Sequence, residues 1–197
     1  MEHFFEKIKG WSSLKDQGQL INIALDELSI KNNLKIAEIG VYKGRGTAIW
    51  NVELINKNIN YEYFAIDNFE GSSEHKTWGN VPSYEEALHN LEPIINKINL
   101  IKSDSLLAAN SFPDNTFDIV YIDASHEYEL VLADINAWYP KVKSGGILCG
   151  DDYINGWPGV IQAVNKFFFG EKKFKINKVG NQQWWVKIIK DHSTYGK

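Results

Sequence analysis

Short, wholly apolar runs alternate with longer amphipathic ones along most of the chain. Residues 35–41 (K-I-A-E-I-G-V) close on glycine, and Ala48, Ile49, Val52 and Ile55 then share one face of a 3.6-residue period. Residues 63–67 (Y-F-A-I-D) form a second short run that ends on a carboxylate. Ser83 then caps an expected helix over about 84–96, with Glu86 at the capping-box position. Residues 99–103, 117–123 (F-D-I-V-Y-I-D) and 146–150 (G-I-L-C-G) read as three further strands. Between the last two, Tyr128, Val131, Leu132, Ile135 and Trp138 line one face of a helix spanning about 127–138. Another helix starts at Pro158, a residue suited to the first helical position, and buries Val160, Ile161, Val164, Phe167 and Phe168. Residues 174–179 and 184–189, joined by Gly180-Asn181, read as an antiparallel hairpin in which Trp184 and Trp185 point to opposite faces.

Strands that are apolar throughout and alternate with amphipathic helices imply a parallel sheet covered on both faces. The expected fold is therefore α/β, a Rossmann-like doubly wound sheet, mostly parallel, with a C-terminal antiparallel hairpin. Residues 1–33 read as a helical leader, with Phe4, Phe5, Ile8 and Trp11 along it, and residues 34–197 as the main domain.

Composition narrows the class. A length of 197 residues suits one core, and one cysteine excludes a disulfide framework. A net charge of −4 argues against nucleic acid as a partner. No apolar stretch is long enough to span a bilayer, and the first ten residues do not resemble a signal peptide, so the expected location is cytoplasmic, off the membrane. The aromatic-rich ends leave a homodimer open.

In open α/β sheets ligands lie beyond the carboxyl ends of the strands, so the residues that follow each strand carry the candidate chemistry. After the first comes a glycine turn, Gly40 to Gly46, which suits either close ligand approach or a tight turn. Ile49 stands where a dinucleotide fingerprint wants its third glycine, which weakens a nicotinamide-dependent oxidoreductase. Asp67 follows the second strand, placed either to accept a ribose diol or to cap a turn. Asp104-Ser105 follows the third, facing an adenine edge or capping the next helix. Asp123, His126, Asp151 and Asp152 follow the last two parallel strands. Three acids at neighbouring strand ends hold a cation, raise a pKa, or both, and an all-oxygen set suits Mg²⁺ or Ca²⁺; the bland alternative is that Asp152 and His126 cap turns. Asp118 lies at the opposite end of its strand and reads as structural.

Together these residues resemble the class I S-adenosylmethionine-dependent methyltransferases, and within them the metal-dependent sugar O-methyltransferase group that includes macrocin O-methyltransferase and cephalosporin-hydroxylase-like sequences. The E-x-G-x-x-x-G-x-S/T motif appears at Glu38 to Thr47, I-D-x-x-H-x-Y at Ile122 to Tyr128, and G-D-D-Y at Gly150 to Tyr153. Ala124 and Ser125 depart from the glycine and acid usual there. The resemblance implies S-adenosylmethionine held by Glu38, Gly40, Tyr42, Gly44, Thr47, Asp67, Asp104, Ser105 and Asp123. It also implies Mg²⁺ or a similar cation on Asp123, Asp151 and Asp152, and proton removal by Asp123 or His126. Chelation by a cation would favour a small acceptor with adjacent hydroxyls, catechol-like or, by the family analogy, a sugar. The polar stretch 68–82 would form a wall of the acceptor pocket through His75 and Trp78. A non-catalytic nucleotide-binding module remains the rival reading.

Overall fold

The computed structural model describes residues 1–29, 32–172 and 174–190. Residues 191–197 of the expected domain lie outside them. A 3₁₀ turn at Phe4–Lys7 leads into helix α1 (Leu14–Leu28). Then come β1 (Leu34–Ile39), α2 (Arg45–Asn56), β2 (Tyr61–Asp67), the short α3 (Ser73–Thr77) and α4 (Tyr84–Asn90). The second half runs β3 (Ile98–Lys102), α5 (Ser105–Asn110), β4 (Phe117–Ile122), α6 (Tyr128–Trp138), β5 (Val142–Gly150), α7 (Pro158–Val164), β6 (Asn177–Val179) and β7 (Gln183–Lys187).

The strands form one sheet in the order β3-β2-β1-β4-β5-β7-β6. The first five are parallel, and β7 pairs antiparallel with both β5 and β6. The expected doubly wound sheet with its terminal hairpin is thus present. Each central strand feeds two cores: β4 sends Ile119 and Tyr121 to one, and Val120 and Ile122 to the other. Phe5, Leu20, Trp50 and Leu91 fill the first, while Val131, Trp138, Phe167 and Phe168 fill the second. Full burial of an apolar side chain of this size contributes about 1.5–3 kcal/mol. Trp184 packs into the second core and Trp185 against the first, as strand alternation requires.

Three local expectations are corrected. The leader is helical as expected, but its helix is α1, after Phe4, Phe5, Ile8 and Trp11, and the segment at Phe4–Lys7 is a 3₁₀ turn. Gln17 and Gly18 lie on the buried face of α1 beside Leu20, Ile21 and Ala24, and they interrupt the hydrophobic period. The helix expected over 84–96 ends at Asn90, and a 3₁₀ segment, Glu92–Lys97, accommodates Pro93, which has no N–H to donate. Ser83 Oγ does accept from the Glu86 N–H (3.1 Å), but the Glu86 carboxylate reaches Lys43 Nζ (2.9 Å) rather than completing a capping box. Beyond Val164 the helix widens into a π-helical segment, Asn165–Lys172, and only 177–179 of the first tail strand pairs. Asp118 is structural: it accepts from the Lys35 N–H at 2.8 Å and pairs with Lys143.

Candidate active site

Strand order reverses at β1, which pairs with β2 on one side and β4 on the other, and the cleft opens above that point. Gly40 makes the close approach possible: its φ is 96°, and a Cβ there would lie 2.0 Å from the Asp123 carbonyl oxygen. Gly44 caps α2 at φ 90°, where a Cβ would press on Leu91 at 2.8 Å. Tyr42 sits between them in the left-handed region at φ 54°. The carboxylate of Asp67 braces this turn, its Oδ2 accepting from the Val41 and Tyr42 N–H groups at 2.8 Å each. Its Oδ1 accepts from the Phe69 N–H at 2.7 Å and keeps a free lone pair, and the residue lines the cleft. Below the turn, Glu38 receives the hydroxyls of Thr47 (2.6 Å) and Tyr63 (3.1 Å). Burial, with a smaller contribution from Asp67, pushes the Glu38 carboxyl up to about 8.

Beyond β4 and β5 the acids divide into two arrangements. The Tyr121 hydroxyl lies 3.2 Å from Asp123 Oδ2 and 3.2 Å from Asp151 Oδ2, and it accepts from Gln17 Nε2 at 3.3 Å. Burial first, then the charges of Asp151, Asp152 and Glu38, drive the Asp123 carboxyl well above the usual carboxylate range. Burial and Asp152 raise Asp151 as well. Asp152 has a further partner beyond this pair. Its backbone is left-handed at φ 63°, and its Oδ2 lies 2.8 Å from His126 Nε2. The imidazole stacks on Trp157 at 3.8 Å, and its Nδ1 stands 3.4 Å from Glu74 Oε1 on α3. Among the described residues no three His, Cys, Asp or Glu side chains form a metal-holding group. Asp123, Asp151 and Asp152 do line one lobe, with Asp123 and Asp151 sharing the Tyr121 hydroxyl and Asp152 paired with His126.

Asp104 caps α5, its Oδ1 accepting from the N–H groups of Leu106 (2.9 Å) and Leu107 (3.0 Å). Ser105 donates its hydroxyl to Asp134 Oδ1 on α6 and accepts from Trp138 Nε1 at 3.0 Å.

The cleft has two lobes. The first, about 460 Å³, runs along Asp67, Ser103, Asp104, Leu106 and Asp134. The second, about 330 Å³, is lined by acids (Glu38, Glu74, Asp123, Asp151 and Asp152), by rings, and by Arg45. Both volumes suit small-molecule sites. Gly40, Tyr42, His75, Asp123 and Ala124 line both lobes, so they mark the passage between them. Over the second lobe, Tyr42 stacks on His75 (4.7 Å, 18°), and Trp11 from the leader lies 5.1 Å from Tyr42 and 6.0 Å from Trp78. The stretch 68–82 does wall the cleft, held to the start of α6 by Ser73 Oγ donating to Glu127 at 2.8 Å.

Sequence reasoning passed over three residues. Arg45 donates to the carbonyls of Ser12 (2.7 Å), Phe5 (3.0 Å) and Ile8 (2.7 Å), fastening the leader to the glycine turn. Tyr121 was legible as the residue two places before Asp123, on the same face of its strand. Asp134 was legible as an acid on the apolar face of α6, three after Val131 and next to Ile135.

A seven-stranded sheet of this order, with a split cleft above β1 and β4, is a Rossmann-like methyltransferase fold. A methyltransferase-domain model matches residues 37–153, more than half of the chain, and the chain belongs to that family. Among solved structures it is similar to the O-methyltransferase NovP, with a TM-score of 0.71 and 15% identity over 88% of this chain and 80% of that one. It also resembles CalS11, a TDP-rhamnose 3'-O-methyltransferase, with a TM-score of 0.57 and 17% identity over 87% and 78% of the two chains. A sequence relative, "Uncharacterized protein R132" of Acanthamoeba polyphaga mimivirus, is 44% identical over 54 residues. That match takes in 26% of this chain and spans about a quarter (24%) of the relative's length. Among the described residues no helix is long and apolar enough to cross a membrane.

Proposed function

We propose that the protein is an S-adenosylmethionine-dependent O-methyltransferase acting on a hydroxyl of a small molecule, with a sugar or catechol-like vicinal diol as the acceptor class. The residues fit the donor. The first lobe offers Asp67 toward a ribose diol and its α5–α6 end toward a purine, while Glu38, Gly40, Tyr42, Gly44 and Thr47 shape the turn on which the methionine end would rest. S-adenosylmethionine supplies an electrophilic methyl group on a sulfonium. The acceptor then belongs in the second lobe, under Trp11, His75 and Trp78, whose rings suit the flat or C–H-lined face of a catechol or sugar.

One observation carries the chemistry: the His126–Asp152 pair stands in the acceptor lobe beside the passage at Asp123. With Nε2–H donated to Asp152, His126 keeps Nδ1 to receive the acceptor's hydroxyl proton, displacing the long contact to Glu74. Asp123, in the passage, holds the reacting hydroxyl in line with the methyl group. The likeness to CalS11, a TDP-rhamnose 3'-O-methyltransferase, supports the sugar reading.

A divalent cation is a separate question. The oxygen-only donors suit one chemically, and its charge would relieve the crowding of Asp123 and Asp151. Their placement does not fit, because Tyr121 stands between those two and Asp152 is bound to His126. Turnover of a catechol or sugar diol in chelator tests this directly. Activity retained in chelator, and lost in His126→Ala, supports the proposal. Activity abolished by chelator and restored by Mg²⁺ would return the three acids to the role of ligands.

A further inference from the structure

The purine end of the first lobe is built differently from what strand-end residues alone would suggest. Asp104 is exposed, and one of its oxygens is already shared between two N–H groups of α5. Asp134 is its opposite: it is 6% exposed, lies on the cleft-facing side of α6 with Leu130 and Ala133, and lines the lobe. Ser105 occupies one of its oxygens, and Trp138 Nε1 fixes Ser105 in turn. No other donor among the described residues reaches this carboxylate, so its second oxygen is left for whatever fills the lobe. Leu106 (41% exposed) and Leu130 (51% exposed) stand at the same end as open apolar surface on α5 and α6. An acceptor oxygen nearly removed from water, beside two uncovered leucines, suits a flat apolar ring that carries an N–H donor on its edge.

We infer that Asp134 is the residue that reads the base of the cofactor, accepting from the exocyclic amine of adenine while Leu106 and Leu130 cover the ring faces. This rests on the reading of the first lobe as the adenosine end of S-adenosylmethionine. Burial, opposed by the Ser105 hydroxyl, pushes the Asp134 carboxyl up to about 6, so it is mainly ionised at neutral pH and a strong acceptor. A buried acceptor discriminates sharply, because a purine without the donor leaves it unpaired. Asp104 and the start of α5 then serve chiefly to hold Ser105, and through it Asp134, in position.

The test is calorimetric and needs no turnover. Wild-type protein is titrated with S-adenosylhomocysteine, with its inosine counterpart, in which a carbonyl oxygen replaces the amine, and with its N6,N6-dimethyl form, which has no donor. The inference expects both altered ligands to bind about 100-fold more weakly than the parent or worse. Asp134→Asn should narrow the adenine-over-inosine preference to within about tenfold, because an amide can turn its own N–H toward the carbonyl. Asp104→Asn should keep the full preference. Equal binding of all three ligands by wild type, or an undiminished preference in Asp134→Asn, would overturn the assignment alone. Collapse of the preference in Asp104→Asn instead would move the role to Asp104. No heat from S-adenosylhomocysteine in wild type would sink the donor reading and this assignment together.

Discussion

The two lobes of the cleft share one passage and little else. The first is built on backbone: N–H groups of the glycine turn gather on Asp67, and those of α5 gather on Asp104. The second is built on side chains that constrain one another, with Tyr121 between two acids and His126 between two others. A lobe organised by main-chain geometry suits a ligand whose shape is constant, such as a nucleoside. A lobe of crowded charges and stacked rings suits reactivity, since burial and like charges move proton affinities there. The division of labour is therefore written in what each lobe is made of.

Substitutions that break one lobe while sparing the other test this contrast. The largest effect belongs to His126→Ala, which should lower turnover by about 10²–10⁴-fold in a steady-state methylation assay. A loss below about threefold would move proton removal to Asp123. Next is Glu38, at the base of the second lobe. The folded chain keeps its proton up to about pH 8, whereas an unfolded chain releases it near 4.5. The native state thus binds more protons within that window, and stability falls as pH rises through it, then levels off. Glu38→Gln should remove that part of the fall, so urea midpoints at pH 8.5 should favour the variant by more than at pH 5.5. An equal drop in both proteins would contradict it.

A smaller effect is expected at the seam with the leader. Arg45→Ala frees the carbonyls of Phe5, Ile8 and Ser12, and should cost about 2 kcal/mol in urea unfolding. It should also raise the acceptor KM, because Trp11 follows the leader. Trp78→Ala is the mildest: it should raise acceptor KM about three- to tenfold, consistent with one aromatic contact. Cofactor affinity should stay unchanged, and a change there would mean the rings serve the first lobe.

Much of this was legible in the sequence. Apolar runs closing on Gly40, Asp67 and Asp123 placed the strands and the end of the sheet where chemistry gathers, because parallel strands are apolar on both faces. A helical leader was read, but not the place of α1 within it, because Gln17 sits on the buried face and is held there by Tyr121, a partner 104 residues away. The acids of β4 and β5 were correctly brought to one cleft, but not their partners. Asp152 adopts a left-handed φ of 63° and pairs with His126, 26 residues away, and no local pattern announces either. Asp134 was legible as an acid on an apolar helix face, but its partner was not, because Ser105 lies on another helix.

The separation of the lobes is tested most directly by titrating S-adenosylhomocysteine into wild-type protein and His126→Ala in a calorimeter. The account predicts one site in each, with dissociation constants agreeing within about threefold. A tenfold weaker complex in His126→Ala, or no heat from S-adenosylhomocysteine alongside clear binding of NADH to wild type, would contradict it.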